Sequence, residues 1–231
     1  MRVASYNIRK AVGLDWKRDA RRIIKVLGEL DADIIALQEA DKRLGDRPGT
    51  LPANILESEL GYKFARIEDC GPSHGWHGNA ILYRNPFLSI KTEKINIPTL
   101  EPRGGIGALF NNGSDVKFKF IGVHLSLIGN IRARQIKYLS DKIENEDELV
   151  PTIIAGDFNE WRKMGKAYRA AGAGFQFITP GASFHSKKPV FPLDRFMLWG
   201  RIDLQETGVH ESPLSKYASD HLPVFMNITI G

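Results

Sequence analysis

Cysteine is almost absent from this sequence of 231 residues: Cys70 stands alone, so no disulfide can form within the chain. No window offers the run of about 18 apolar residues that a transmembrane helix needs. The first eight residues lack the apolar stretch and the small-residue cleavage site of a secretory signal, and they read as a strand. These absences exclude a disulfide scaffold, argue against a transmembrane segment and favour a cytoplasmic protein.

The sequence also contains no long run of residues that carry the same charge. The chain carries 32 Lys and Arg residues against 27 Asp and Glu residues, a net charge of +5, and so favours anionic partners only mildly. Hydrophobic residues at 42% and charged residues at 26% are typical of a folded globular protein. Because no repeat and no Pro/Ser-rich linker divides the chain, we expect a single domain over residues 1–231, with no obligate protein partner evident.

Strand-like runs are many and helical patterns are few. Strands are predicted at residues 3–8, 34–38, 79–84, 88–97, 106–111, 116–124, 152–157, 191–198 and 222–230. Helices are predicted at residues 17–30, with Asp15 as N-cap, and at 131–143, and a third short helix is predicted to start near Trp161. The stretch 79–124 holds no helix, which argues against a doubly wound parallel sheet. The pattern therefore predicts two packed sheets with helices outside them.

Polar side chains recur where the predicted strands begin or end. They are Asn7, Glu39, His124, Asp157, Asn159, Asp194, Asp220 and His221. A rigid sheet can present such side chains to one cleft. Carboxylates suit Mg²⁺ or Mn²⁺, paired Asp and His suit proton transfer, and amides and imidazoles suit an anionic phosphoryl transition state. Each residue alone has a structural explanation, such as a strand-end cap for Asn7 or a core histidine for His124, but their recurrence favours a shared site.

Seven short segments carry this pattern. They are Ser5-Tyr6-Asn7-Ile8, Leu37-Gln38-Glu39, Gly78-Asn79-Ala80-Ile81-Leu82, Gly122-Val123-His124-Leu125-Ser126, Gly156-Asp157-Phe158-Asn159, Leu193-Asp194-Arg195-Phe196 and Ser219-Asp220-His221-Leu222-Pro223. In composition and order they resemble the endonuclease/exonuclease/phosphatase superfamily of deoxyribonuclease-like, metal-dependent phosphoesterases. The resemblance implies an α+β fold, a four-layer α/β/β/α sandwich in which two mixed β-sheets pack face to face with helices outside.

The resemblance also implies a Mg²⁺ or Mn²⁺ cofactor and a Mg-dependent phosphoric ester hydrolase. Glu39 would be the main metal ligand, Asn7 would lie beside it at the metal or at a phosphate oxygen, and Asp220 would lie in or next to the coordination shell. The remaining roles would be catalytic. Asp157 would position and deprotonate the attacking water, Asn159 and His124 would bind the phosphate, and His221, oriented by Asp194, would contact the phosphate or help to activate the nucleophile.

Residues for substrate binding are fewer. Asn79 is a candidate because it belongs to the motif Gly78-Asn79-Ala80-Ile81-Leu82. Arg103 lies in a Gly-rich turn and could bind a second phosphate. Trp76 either stacks on a ring of the substrate or packs its own loop onto the sheet. Arg195 stands where the superfamily often carries Tyr or His. A cleft-facing Arg195 would bind phosphate, but we expect it to face solvent.

Three functions remain open at this point. The first is a phosphodiesterase or phosphatase for a small or lipid-derived phosphoester, which the compact chain and modest charge favour. The second is a DNA or RNA endonuclease or exonuclease, which needs a basic groove beside the site. The third is a non-catalytic binding module, against which the intact set of site residues argues. The partner implied in the first two is a phosphoester substrate, with nucleic acid as one candidate and a lipid head group as another.

Overall fold

A computed structural model describes residues 1–42, 45–113, 116–162, 165 and 168–231. Its strands are β1 (Arg2–Asn7), β2 (Ile34–Gln38), β3 (Lys63–Phe64), β4 (Ala80–Tyr83), β5 (Leu88–Ile95), β6 (Gly105–Asn111), β7 (Lys117–His124), β8 (Thr152–Asp157), β9 (Phe175–Ile178), β10 (Asp194–Trp199), β11 (Ile202–Val209) and β12 (Val224–Ile230). Its α-helices are α1 (Ala20–Leu30), α2 (Ala53–Leu60), α3 (Gly129–Glu144) and α4 (Ser215–Ala218), and short 3-10 turns lie at Arg9–Ala11 and Tyr168–Ala170.

The strands form two mixed sheets of six strands each. The first has the order β11-β12-β1-β2-β4-β3, and the second has the order β5-β6-β7-β8-β10-β9. In the first sheet β1 is parallel to β2 and antiparallel to β12. In the second sheet β8 is parallel to β7 and antiparallel to β10. The central strands of both sheets therefore run in pairs of the same direction, which brings their carboxyl ends to one edge.

The central strands carry apolar side chains on both faces of each sheet. One of these faces packs against the other sheet. In β1, Val3 belongs to the core between the sheets, while Ala4 and Tyr6 belong to the core outside the first sheet. In β8, Ile153 and Ala155 face the other sheet in the same way. The central core is rich in phenylalanine, including Phe110, Phe118, Phe120 and Phe196.

Helices cover the outer faces of the sheets. The apolar stripe of α1 (Ile23, Ile24, Leu27 and Leu30) packs with Tyr6 on the outside of the first sheet. Ile136, Leu139 and Ile143 of α3 pack with Ile154 on the outside of the second sheet. These layers confirm the predicted four-layer sandwich. Among the described residues, no helix is long and apolar enough to cross a membrane.

The structure corrects several details of the predicted elements. Helix α1 begins at Ala20, and its N-cap is Asp19, whose side chain accepts a hydrogen bond from the Arg22 amide at 3.1 Å. Asp15 is therefore not the cap; it pairs with the Arg22 guanidinium at 2.9 Å. The strand predicted at 191–198 begins only at Asp194. Residues 163, 164, 166 and 167, on which the third predicted helix falls, lie outside the described part of the chain.

Gly156, next to the end of β8, tests how tightly the second sheet is packed. A Cβ atom at Gly156 would lie 2.0 Å from the Val123 carbonyl oxygen, whereas one at Gly122 would make ordinary contacts of 3.4 Å with Ala36 and Ile106. We expect Gly156→Ala to lower the free energy of unfolding by about 1–3 kcal/mol, because β7 must move. Chemical denaturation measures this, with Gly122→Ala as the control. Equal stability of the two variants would contradict the packing described.

Candidate active site

Strand alternation brings four predicted site residues into the space between the sheets. Asn7 is two residues beyond Ser5 and four beyond the core residue Val3, so it points to the same face. By the same spacing His124 follows Phe120, Asp157 follows Ala155, and Asp194 precedes Phe196. The register places Asp157 directly beside both His124 and Asp194. The polar residues at which β1, β7 and β8 end and β10 begins thus form one cluster at the edge of an apolar core.

Asp157 lies at the centre of this cluster and is almost fully buried. Its Oδ2 atom accepts a hydrogen bond from Asn7 Nδ2 at 3.1 Å and lies 3.3 Å from His124 Nε2 and 3.7 Å from His221 Nε2. Its Oδ1 atom accepts a hydrogen bond from the Asn159 amide at 2.9 Å. A buried carboxylate is expensive unless it is paired and hydrogen-bonded, and both oxygens of Asp157 meet that condition.

His221 is held from behind by Asp194. Its Nδ1 atom lies 2.8 Å from Asp194 Oδ2, which also accepts a hydrogen bond of 2.6 Å from the Ser183 hydroxyl. Burial disfavours the imidazolium, yet the negative charges of Asp194 and Asp157 and the hydrogen bond with Asp194 outweigh burial and raise the pKa of His221 to about 10. His221 is therefore a charged donor whose Nε2 faces Asp157.

Glu39 and Asp220 lie beside this cluster and face positive charges. Glu39 forms an ion pair with the Lys10 ammonium, and Asp220 Oδ2 lies 3.3 Å from Arg9 Nε. The backbone φ angles of Arg9, Lys10 and Glu39 are all positive, at 46°, 58° and 52°. This left-handed conformation is unfavourable for residues other than glycine. Such strain persists only where the surrounding structure enforces it, and it is typical of functional sites.

Two groups of residues have the chemistry to hold a divalent cation. Asp157, Asp194 and His221 each offer one ligand atom, and these atoms lie within 4.8 Å of one another. Binding of a metal by His221 would require loss of the imidazole proton, which both neighbouring carboxylates stabilise. Glu39 and Asp220 are also hard oxygen donors; each is partly exposed and paired with a cationic side chain.

Asn159 connects the end of β8 to the end of β7. Its Nδ2 atom donates to the Leu125 carbonyl oxygen at 3.0 Å, while its backbone has a positive φ of 51°. The turn that follows Asp157 is thus fixed at both ends, next to His124.

The residues predicted for substrate binding lie in hydrogen-bonded loops. Asn79 Nδ2 donates to the carbonyl oxygens of Trp76 and Gly104 and so joins two loops. Arg103 Nε donates to Glu101 at 3.0 Å, and the other oxygen of Glu101 accepts from the Ser126 hydroxyl at 2.6 Å. Trp76 is half-buried, and its Nε1 donates to Asn96 at 3.2 Å. This contact attaches the Trp76 side chain to the segment after β5 and leaves its ring partly accessible.

The expectation that Arg195 faces solvent is wrong. Its side chain is fully buried and donates to the carbonyl oxygens of Pro192 at 3.0 Å, Glu160 at 2.9 Å and Arg162 at 3.3 Å. Burial lowers the pKa of Arg195, while the neighbouring Tyr168 and Glu160 oppose that shift. Arg195 therefore binds no phosphate; it fixes the segment after Asn159 to β10.

Sequence reasoning missed three residues that hold the site together. Ser183 donates to Asp194, Ser219 Oγ donates to the Asn7 carbonyl oxygen at 2.7 Å, and Lys10 pairs with Glu39. Ser219 belongs to the last of the seven motifs and Lys10 lies two residues beyond the first, which is a signal that could have assigned them a role. Ser183 carries no such signal, because its loop reaches the site through contacts between distant segments, such as the bridge between Phe184 and His221.

The pairing of His221 with Asp194 predicts the charge state of the imidazole. In Asp194→Asn the pKa of His221 should fall from about 10 toward its ordinary 6.5, because the nearest negative charge is lost while Asp157 remains. At pH 8 the imidazole should then be charged in the native protein and largely neutral in the variant. Titration of the histidine ring signals by NMR measures this. Asp203→Asn, on the exposed part of β11, is the control; an unshifted His221 in Asp194→Asn would contradict the prediction.

Comparison with known proteins agrees with this fold. The model of the endonuclease/exonuclease/phosphatase family matches residues 4–221. The uncharacterized protein YbhP of Escherichia coli K12 is 26% identical over 227 residues, which cover 91% of this chain and 86% of YbhP. Among solved structures, a mannosyl-6-phosphatase of Bacteroides thetaiotaomicron has a TM-score of 0.76 at 20% identity and covers 100% of both chains.

A second solved structure, D. rerio TDP2 complexed with a single-strand DNA product, has a TM-score of 0.75 at 20% identity and covers 99% of this chain and 98% of TDP2. At such identities structural likeness shows the fold alone. The family model, in contrast, spans all seven motifs except the last two residues of the final one, Leu222 and Pro223. The chain therefore belongs to the endonuclease/exonuclease/phosphatase family.

Proposed function

We propose that the protein is a divalent-metal-dependent hydrolase in which water attacks the phosphorus of a phosphoester, with the whole chain acting as one cytoplasmic domain. The observation that carries the proposal is the convergence on Asp157 Oδ2 of Asn7, His124 and His221, within 3.1 to 3.7 Å. A carboxylate surrounded by amide and imidazole donors can orient a water molecule while its neighbours bind anionic oxygens.

Each side chain has a role that follows from its contacts. Asp157 accepts the proton of the attacking water while the new P–O bond forms and the ester P–O bond breaks, and the leaving alkoxide takes a proton from solvent. His221, held by Asp194, points its Nε2 toward Asp157 and can donate to a phosphoryl oxygen. His124 and Asn159 lie on either side of the β7–β8 edge, where they can hold the other oxygens. Donors that are fixed before the reaction stabilise developing charge without reorganisation.

The metal would be held by Glu39 and Asp220, with Asn7 beside them. Bound there, Mg²⁺ or Mn²⁺ would polarise the phosphoryl oxygens and offset their negative charge. Lys10 pairs with Glu39 and Arg9 pairs with Asp220, so a metal at these carboxylates would compete with two cationic side chains.

The substrate class that we favour is a small or lipid-derived phosphoester. The net charge of +5 is modest, and the sequence has no block of basic residues that would follow a nucleic acid backbone. A DNA or RNA nuclease is the second candidate, supported by the likeness to TDP2 bound to a DNA product, as the mannosyl-6-phosphatase supports the first. Rates on bis-p-nitrophenyl phosphate, a sugar phosphate, a phosphoinositide and an abasic duplex at two salt concentrations would separate them, since a nuclease should lose activity steeply with salt.

Substitution of Asp157 tests the catalytic centre. We expect Asp157→Asn to reduce kcat by several orders of magnitude and Asn159→Ala by about 10²–10³, the loss typical of one transition-state donor. Hydrolysis of bis-p-nitrophenyl phosphate with Mg²⁺ measures both, and Asp203→Asn on β11 serves as the control. Activity that survives EDTA, or an Asp157→Asn variant as active as the native protein, would refute the proposal. If none of the phosphoesters named above is hydrolysed at any metal concentration tested, a non-catalytic binding module is favoured.

Lys10 is expected to weaken metal binding, because its ammonium already pairs with Glu39. Lys10→Met should bind Mg²⁺ or Mn²⁺ about tenfold more tightly in calorimetric titration, which corresponds to about 1.4 kcal/mol. The metal-free variant should also be less stable to heat, because Glu39 loses its counter-charge. Lys17→Met, an exposed lysine seven residues after Lys10 in the chain, is the control. Equal metal affinity of Lys10→Met and the native protein would show that Lys10 does not compete.

A further inference from the structure

Large apolar side chains protrude from the segments that surround the proposed active site. Of the thirteen that are exposed in the described part of the chain, eight lie on segments that connect the strands at the edge where Asn7, His124 and Asp157 are found. We call these eight the apolar arc: Trp16, Leu100, Leu127, Ile128, Trp161, Val190, Phe191 and Tyr217. Exposed apolar surface that is concentrated in one region marks an interaction site.

On one side, the arc adjoins Asp220. The Arg9 guanidinium, which pairs with Asp220, lies 4.4 Å from the centre of the Trp16 ring, and Trp16 is 77% exposed. The backbone amide of Leu14 donates to the Tyr217 carbonyl oxygen at 3.0 Å, so the segments that carry the two aromatic side chains are in contact. Trp16 and Tyr217 therefore stand beside a carboxylate of the proposed metal site.

On the other side, the arc passes His221. The Phe184 ring lies 4.9 Å from the His221 ring, and Phe184 is the bridge partner of Phe191. The Phe191 ring lies 6.0 Å from the Trp161 ring, and Trp161 lines a cleft together with Leu127. Exposed apolar side chains thus continue from the imidazole to the end of β7.

Leu100 extends the arc beyond β7. It is 86% exposed, and the next residue, Glu101, accepts a hydrogen bond of 2.6 Å from the Ser126 hydroxyl. Ser126 lies two residues after His124 and directly before Leu127. The arc therefore borders the polar cluster at His124, at His221 and at Asp220.

The segments that carry the arc have an excess of positive charge. Their acidic side chains lie in ion pairs: Asp15 and Asp19 with Arg22, Glu101 with Arg103, Glu160 with Arg132, and Asp220 with Arg9. Four exposed basic side chains form no ion pair with any described residue: Lys17, Arg18, Lys187 and Lys188. Two of them follow Trp16 directly, and the other two shortly precede Val190.

This combination of side chains suits a bilayer that contains anionic lipids. Tryptophan and tyrosine prefer the membrane–water interface, aliphatic side chains gain from burial beside acyl chains, and basic side chains attract anionic head groups. The arc residues stand on separate segments around a polar recess. A flat apolar partner would bury the polar groups of that recess without hydrogen bonds, whereas hydrated lipid head groups can fill it.

We infer that the active-site edge of the protein docks onto an anionic lipid bilayer, with the apolar arc in the interfacial region and the four basic side chains against the head groups. Docking needs no hydrolysis and goes beyond the proposed function. Only its consequence for the reaction, that phosphoesters at the bilayer surface come close to Asp157, rests on that function.

Co-sedimentation of the full chain with vesicles in EDTA tests docking in the absence of turnover. Vesicles of phosphatidylcholine and phosphatidylglycerol in a ratio of about 3:1 should be bound at least about tenfold more tightly than vesicles of phosphatidylcholine alone. The affinity for the mixed vesicles should fall at high salt, because the basic side chains are exposed and their attraction is screened.

Matched variants test whether the arc makes the contact. Trp16→Ser should weaken binding to the mixed vesicles about tenfold and Leu100→Ser about threefold, because apolar area leaves the interface. Leu149→Ser is the control: this leucine is 56% exposed and precedes β8, at the opposite edge of the sheet. Lys188→Gln should weaken binding about fivefold, whereas Lys91→Gln, an exposed lysine on β5, should not.

Quenching of tryptophan fluorescence by brominated phosphatidylcholine in the mixed vesicles separates insertion from adsorption. Bromine on the acyl chains quenches only indoles that reach the apolar region. The native protein should be quenched, and the double variant with Trp16→Leu and Trp161→Leu should not, although Trp76 and Trp199 remain.

The inference is overturned if the protein binds neither kind of vesicle, if Leu149→Ser weakens binding as much as Leu100→Ser, or if the native protein binds without quenching, which would show adsorption by charge alone. Binding of a single-stranded oligonucleotide or self-association, lost in Trp16→Ser and found without vesicle binding, would also overturn it and assign the arc to that partner.

A parallel assay with bis-p-nitrophenyl phosphate and Mg²⁺ keeps docking separate from the proposed function. Hydrolysis without vesicle binding would refute the docking surface alone. Vesicle binding that depends on Trp16, without any hydrolysis, would refute the hydrolase and leave the docking surface in place.

Discussion

The buried carboxylate of Asp157 is the constraint on which the active site depends. A charge placed at the edge of an apolar core must be balanced locally, and the protein balances it with an amide, two imidazoles and a backbone N–H. Those same groups are what a phosphoryl transition state needs around an attacking water. One set of side chains therefore both stabilises the buried carboxylate and provides the groups that the proposed chemistry needs.

The sandwich explains why these groups meet although they are far apart in sequence. Parallel pairing of β1 with β2 and of β7 with β8 brings strand ends to a common edge, and alternation turns every second residue inward. Asn7 and Asp157 are 150 residues apart in the chain, yet they share a hydrogen bond. The outer helices contribute little chemistry, but by covering the sheets they allow the central strands to be apolar on both faces.

Much of this could be predicted from the sequence because the central strands are short, apolar and end in polar residues. Ile34–Gln38 and Thr152–Asp157 were predictable to the residue, since uniform apolarity marks a strand covered on both sides. Strand β11 was not predicted, because it lies at the sheet edge, half of its residues are exposed and none is fully buried, so it has no apolar pattern. The Arg195 side chain was predicted to face solvent because it is charged. In the structure it is surrounded by three backbone carbonyl groups and the Tyr168 ring, and no sequence pattern indicates these contacts.

The burial of Arg195 bears on how this protein could change its substrate. The Arg195 guanidinium donates hydrogen bonds to the backbone carbonyl oxygens of Glu160 and Arg162. These bonds fix the backbone of that segment and do not depend on the identity of its side chains. Lysine could not replace it, because an ammonium lacks the planar fork that reaches several acceptors at once. The exposed side chains at 161 and 162 can then be exchanged during evolution, while Asp157, four residues before Trp161, keeps its position.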